Sequence, residues 1–194
     1  MKLTPKQTEA NKLLAGSATH IMLFGGSRSG KTFVLVRAVC LRAIKAPNSR
    51  HAIVRYRFNA VKNSIVLDTF PKVMALCFPG VKYELNKSDW YARFPNGSEV
   101  WFAGLDDKER TEKILGMEFV TIYPNECSQI AYDTILTLRT RLAQNVTKVD
   151  GRPMVPKACG TACPKKWPQT PRPATTWRLL RPRPPTRWNN CKAS

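Results

Sequence analysis

The run Gly25-Gly26-Ser27-Arg28-Ser29-Gly30-Lys31-Thr32 carries the most specific chemistry in this chain. Its spacing, GxxxxGK[ST], is that of a turn whose glycines let backbone N–H groups point at phosphate oxygens. In that geometry Lys31 reaches the β and γ phosphates of a nucleoside triphosphate, and Thr32 offers its hydroxyl to Mg²⁺. A helix beginning at Thr32 presents the positive end of its dipole to the same anion. A glycine turn without any ligand is the plainer alternative.

Phosphate chemistry of this kind needs a second, acidic site, and Phe119-Val120-Thr121-Ile122-Tyr123-Pro124-Asn125-Glu126 supplies an apolar strand ending in one carboxylate. Glu126 is the candidate general base, taking a proton from water that attacks the γ phosphate. Asn125 is placed to hold a Mg²⁺-bound water. As a neutral side chain it stabilises the ion less than an aspartate does, so binding is a safer expectation than fast turnover. The alternative for Glu126 is an ordinary carboxylate near the start of the following helix. Arg28 is either a γ-phosphate contact or a solvated loop charge. Gln7 either reads an adenine edge or closes a capping box, which already accounts for it. Arg55 and Arg57 flank Tyr56 on a strand and point to one face, whereas Arg139 and Arg141 lie on the helix after Glu126. Any of the four is a sensor, a nucleic-acid contact or a surface charge. Cys159, Cys163 and Cys191 make no convincing zinc set.

The elements that must position these groups follow from pattern. Thr4, Pro5 and Gln7 read as N-cap, first-turn proline and capping-box glutamine of a helix through about Ala15. His20 to Phe24 is a short strand, Thr32 to about Ala46 a helix buried against a sheet, and His51 to Phe58 a second strand. Asn59 to Cys77 reads as a helix broken at Pro71. Trp90 to Phe94 and Glu99 to Phe102 pair as a hairpin, and Phe119 to Tyr123 is a buried strand. A helix from about Ser128 to Gln144 follows. With 194 residues, 43% of them hydrophobic, the chain suits one α/β domain plus a tail. The expected class is a P-loop nucleotide-binding fold with a central, mostly parallel sheet, flanking helices and a β-hairpin insertion.

Charge divides the chain. Every Asp and Glu lies at or before Asp150, and residues 158–194 contain no Val, Ile, Phe, Met or Tyr. The expected domain is therefore 1–157, followed by a Pro- and Arg-rich tail, 158–194, without a fold. The formal charge of +19 suits a polyanionic partner. Cysteines without a secretory segment suit a reducing cytosol, and no apolar stretch approaches the ~20 residues of a membrane span.

Together these motifs make the chain similar to the ATPase domain of bacteriophage terminase large subunits. The resemblance covers about Leu3 to Val155 and rests on Leu3-Thr4-Pro5-Lys6-Gln7, the glycine loop, and Asn96-Gly97-Ser98-Glu99-Val100-Trp101-Phe102. It continues through Gly104-Leu105-Asp106-Asp107-Lys108-Glu109-Arg110, Asn125-Glu126-Cys127-Ser128-Gln129-Ile130 and Leu138-Arg139-Thr140-Arg141-Leu142-Ala143-Gln144. It implies that Gln7 lies on the adenine side of ATP, that Lys31 and Thr32 meet phosphate and Mg²⁺, and that Glu126 is catalytic. It further implies a homo-oligomeric ring in the bacterial host cytoplasm, transiently at the procapsid, moving double-stranded DNA with a portal protein and a small terminase subunit as partners. The family also carries a coupling strand after the Gln144 helix and a C-terminal nuclease. Nothing in 158–194 matches either, so the expectation is a truncated chain without nuclease activity, its tail a frameshift product or a basic arm. Two rival readings remain: another P-loop nucleic-acid-dependent ATPase of helicase type, and an inactive remnant acting as a basic nucleic-acid-binding module.

Overall fold

A computed structural model describes residues 3–26 and 28–162. Ser27, Cys163, Cys191 and the rest of the expected tail beyond 162 lie outside the described residues. Thr4 opens α1 (Pro5–Ala15) through the expected capping box, its Oγ1 accepting from Gln7 N at 3.3 Å while Gln7 Oε1 accepts from Thr4 N at 3.0 Å. Then come β1 (His20–Phe24), α2 (Lys31–Lys45), β2 (Arg50–Arg55), α3 (Phe58–Val61), a π-helical segment (Lys62–Thr69) and α4 (Phe70–Cys77). They are followed by β3 (Glu84–Asn86), β4 (Tyr91–Arg93), β5 (Glu99–Gly104), α5 (Lys108–Leu115), β6 (Thr121–Pro124), α6 (Tyr132–Thr140) and β7 (Lys157–Ala162).

The seven strands form one sheet in the order β1-β7-β6-β2-β5-β4-β3. The β1, β7, β6, β2 and β5 neighbours run parallel, and the β5–β4–β3 end is antiparallel. A parallel sheet needs both faces covered. One face buries Leu23, Ile53 and Phe102 against Val34, Val39, Val73 and neighbours of α1, α2 and α4. The other face buries Ala52, Trp101 and Ile122 against Ile114 of α5 and Leu138 of α6. This is the expected P-loop α/β class with its hairpin insertion.

Four local expectations are corrected. The break assigned to Pro71 lies earlier, as the π-helical turn of residues 62–69. There Ser64 Oγ donates to Ala60 O at 2.5 Å and Thr69 Oγ1 to Ser64 O at 2.8 Å, hydroxyls competing for the carbonyls of the helical ladder. The helix expected from Ser128 to Gln144 is a 3-10 turn (Cys127–Gln129) and then α6. The separation lets extended Ile130 drop into the interior, 8% exposed. The second strand stops at Arg55, so Arg57 is not on it but precedes α3 at its N-cap, exposed.

The fourth correction matters most. The boundary expected after Lys157 falls inside β7, which pairs with β1 from His20↔Ala158 to Phe24↔Ala162 and with β6 at Thr121↔Lys157 and Ile122↔Ala158. Residues 158–162 thus belong to the middle of the parallel sheet. Lys157 itself is 3% exposed, and its ammonium donates to Leu14 O at 2.9 Å and Gly16 O at 2.5 Å, tying β7 to the end of α1. Burial lowers its pKa.

Candidate nucleotide site at the sheet edge

The loop between β1 and α2 emerges at the carboxyl edge of the parallel strands, where open α/β sheets bind ligands. Gly30 caps α2 with φ +79°, and a Cβ there would lie 2.5 Å from Gln7 Nε2. The positive φ is what calls for glycine, since the Gln7 amide at the end of its flexible side chain could move aside. The capping box and the loop contact therefore coexist: Gln7 turns its oxygen to Thr4 and its amide nitrogen to the loop. Lys31 donates to Gly25 O at 2.8 Å, Gly26 O at 2.6 Å and Ser29 Oγ at 3.0 Å. Arg28 is exposed with φ +60°. The far end of α2 is fixed by Asn96 Nδ2, donating to Ala43 O at 2.9 Å and Ile44 O at 3.1 Å. Arg42 adds a bond from Nε to Thr121 Oγ1 at 2.7 Å and one from Nη2 to Val155 O at 2.6 Å.

Two strands away from β1, β6 brings Tyr123, Asn125 and Glu126 to the same edge. Tyr123 is fully buried and Asn125 is 4% exposed. Tyr123 OH donates to Asn125 Oδ1 at 2.9 Å, and Thr161 Oγ1 of β7 donates to the same oxygen at 2.7 Å. Thr161 Oγ1 in turn accepts from Glu126 N at 3.0 Å. Burial holds the Tyr123 phenol well above its ordinary pKa, so it stays a proton donor. Polar groups from β6, the turn after it and β7 thereby form one connected set, the arrangement that makes buried polar atoms tolerable.

Glu126 sits at φ +55°, ψ +55°, a left-handed conformation that costs a non-glycine residue on the order of 1–3 kcal/mol. Its carboxylate is ion-paired with the guanidinium of Arg55, whose Nη1 also donates to Ser64 Oγ at 3.3 Å on the π-helical segment. Arg55 Nε is buried without a hydrogen-bond partner among the described residues. Arg139 lies exposed on α6 and Arg141 just after it. Cys159 is a buried free thiol, and among the described residues no His, Cys, Asp and Glu cluster could hold a metal ion.

Sequence reasoning missed Tyr123 and Thr161. Tyr123 read as strand filling, although a tyrosine within an otherwise aliphatic buried strand signals a hydroxyl in need of a partner. Thr161 lay in a segment without β-branched aliphatic residues. No helix among the described residues is long and apolar enough to cross a membrane.

The fold is similar to that of several solved proteins. The large terminase of a thermophilic bacteriophage matches at 14% identity and TM-score 0.67, with 84% of this chain and 39% of that one covered. The same protein in complex with ATP-gamma-S matches at 14% identity and TM-score 0.60, with 83% and 38% covered. The HK97 bacteriophage large terminase matches at 16% identity and TM-score 0.54, with 84% and 33% covered. The chain thus spans less than half the length of these structural relatives. No curated protein matches it. The family described as phage terminase large subunit matches residues 17–152, the whole of the β1-to-β6 core just described, and the chain belongs to that family.

Proposed function

We propose that the chain is the ATP-binding and ATP-hydrolysing motor portion of a DNA-packaging terminase large subunit. The observation that carries this reading is the placement at one sheet edge of the Lys31–Thr32 loop and of the strained Glu126, whose backbone N–H joins the Tyr123–Asn125–Thr161 hydrogen-bond network. In this reading Gly25, Gly26, Ser27, Ser29 and Gly30 cradle the phosphates, and Lys31 exchanges its carbonyl partners for β and γ oxygens. Arg28 faces the γ phosphate and Gln7 the adenine.

The oxygen donors fit Mg²⁺, a hard cation that binds through one or two protein groups plus substrate phosphates rather than a protein cage. Thr32 is its residue. Asn125 serves a metal-bound water by giving up one of the two hydroxyl protons its oxygen now accepts, which makes Thr32 the stronger assignment. When bound with ATP, the ion neutralises charge on the β and γ phosphates. Glu126 accepts the proton of the attacking water after exchanging Arg55 for that water.

The DNA partner, the homo-oligomeric ring, the portal protein and small subunit, and a site of action in the host cytoplasm at the procapsid follow from family membership and belong to the same proposal. Glu126→Gln separates the roles. ATPγS affinity stays within about threefold of wild type, while turnover falls by the 10²–10⁴-fold expected for loss of a general base. Equal ATP hydrolysis by the two proteins would refute the catalytic assignment.

A further inference from the structure

β2 and β5 end side by side at the carboxyl edge of the sheet, Arg55 opposite Gly104, and the segments that leave them are tied together. Asp106 Oδ1 accepts from Phe58 N at 3.1 Å, and Leu105 N donates to Arg55 O at 3.1 Å and to Tyr56 O at 2.9 Å. At this junction two rings lie between two cations. Arg110 of α5 stacks over Phe58, its guanidinium carbon 4.2 Å from the ring centre; Phe58 meets Trp90 edge-on at 5.5 Å, and Lys62 lies 4.9 Å over Trp90. Trp90 sits at φ +59°, a left-handed backbone unusual for so bulky a residue, and its carbonyl accepts from Phe102 N at 2.8 Å.

The charges around these rings are unevenly committed. Of the carboxylates, Asp106 is spent on Phe58 N, Asp107 on the backbone N of Arg110 at 3.0 Å, Asp89 on Lys113, and Glu112 on Lys108 at 3.8 Å. Among the described residues Lys62, Arg110 and Arg57, exposed at the start of α3, make no ion pair. Stacking uses the flat face of a guanidinium and leaves its in-plane N–H donors for another acceptor. We infer that Arg57, Lys62 and Arg110 form a contact for the phosphate backbone of duplex DNA, with the Phe58–Trp90 pair holding two of the three cations in place. The inference rests on the DNA-motor reading above and gives its polyanion a surface on the folded domain, at the same sheet edge as the nucleotide loop. Cations fixed on rings before DNA arrives lose less side-chain freedom on binding. Glu109, exposed and without an ion pair among the described residues, opposes the contact.

The test is binding of a short fluorescent DNA duplex to the full chain, measured by anisotropy from about 50 to 200 mM salt. Each phosphate contact contributes about 0.9 to the slope of log affinity against log salt. Lys62→Gln/Arg110→Gln is expected to lower the slope by about 1.8 and Arg57→Gln by about 0.9. Lys45→Gln removes the same charge from the exposed end of α2, at the opposite edge of the sheet, and should leave the slope unchanged. Arg110→Lys keeps the charge and the slope, and Glu109→Gln strengthens binding. The Lys and Arg residues beyond 162 are common to all of these proteins, so differences in slope belong to the substituted positions. An unchanged slope in the double variant overturns the proposal, as does an equal fall per charge in Lys45→Gln, which would mean that charge anywhere on the chain suffices. Should the double variant not fold, the two single variants take its place, each expected to lose about 0.9, and no change in either again overturns the proposal. Wild type that binds no duplex at low salt overturns the DNA-motor reading together with the surface, a separate and recognisable failure.

Discussion

The two ends of the sheet are built from opposite materials. At the β5–β4–β3 end, aromatic rings interlock: Phe70 meets Tyr83 and Phe102 edge-on, with centroids 5.0 and 5.3 Å apart, and Tyr91 stacks on Trp101 at 4.6 Å. Cations lie over rings there, Arg110 on Phe58 and Lys62 on Trp90. At the β1–β7–β6 end the groups that meet are hydroxyls, an amide, a strained carboxylate and a lysine folded onto carbonyls. One end holds the sheet together by burying large rings; the other accepts backbone strain and buried polar groups. That division is what a site requiring fixed polar atoms demands of a small domain.

The comparison breaks if stability and binding cannot be separated. Phe70, 1% exposed, carries the ring cluster, and Phe70→Ala is expected to cost about 3–5 kcal/mol in urea unfolding, leaving ATPγS affinity of the folded fraction within about twofold. A large drop in affinity at equal folded fraction means the two ends are not independent.

A smaller effect sharpens the packing at the site end. A Cβ on Gly160 would lie 2.7 Å from Cys127 Sγ and 3.0 Å from Met22 Cε. Gly160→Ala should therefore cost roughly 1–3 kcal/mol, and Cys127→Ala in the same chain should recover part of it. Full additivity of the two changes contradicts this account of why β7 is made of small residues.

The smallest effect concerns β2, the strand both ends share. His51 is wholly buried, with Nε2 2.8 Å from Ser49 Oγ and Nδ1 without a partner among the described residues, and burial lowers its pKa to about 3. The unfolded value is near 6.5. Because the folded value is depressed, the stability it contributes is present above 6.5 and is lost as pH falls from there toward 3. Between pH 7 and 5.5 the loss is about 1.3 kcal/mol. His51→Gln should flatten that part of the stability–pH curve, and an unchanged slope shows that other groups set it.

Much of this was legible in the sequence because local chemistry and tertiary role agree. Thr4, Pro5 and Gln7 specify α1 by capping alone, and the glycine spacing specifies the loop between β1 and α2. Glu126 stands out as a candidate for the same reason, since an apolar strand ending in a carboxylate is a local pattern too. β7 was not legible: Lys157-Ala158-Cys159-Gly160-Thr161-Ala162 has almost no intrinsic strand preference. It is a strand because β1 and β6 supply partners on both sides, and its small residues fit where Cys127 and Met22 crowd it. The chemistry of Thr161 was hidden with it. The π-helical turn is illegible for a related reason, since only the folded chain reveals that Ser64 and Thr69 spend their hydroxyls on the backbone.

The central claim, that the β1–β7–β6 edge is an ATP·Mg²⁺ site centred on Lys31, is tested most directly by thermal unfolding with and without ATPγS and Mg²⁺. At about one hundred times the dissociation constant, a ligand bound only by the native state adds about 2.7 kcal/mol, a rise of roughly 5–10 °C for a domain of this size. The account predicts that rise in wild type and its absence in Lys31→Ala, with the two proteins melting alike when no nucleotide is present. No rise in wild type, or an equal rise in Lys31→Ala, contradicts it.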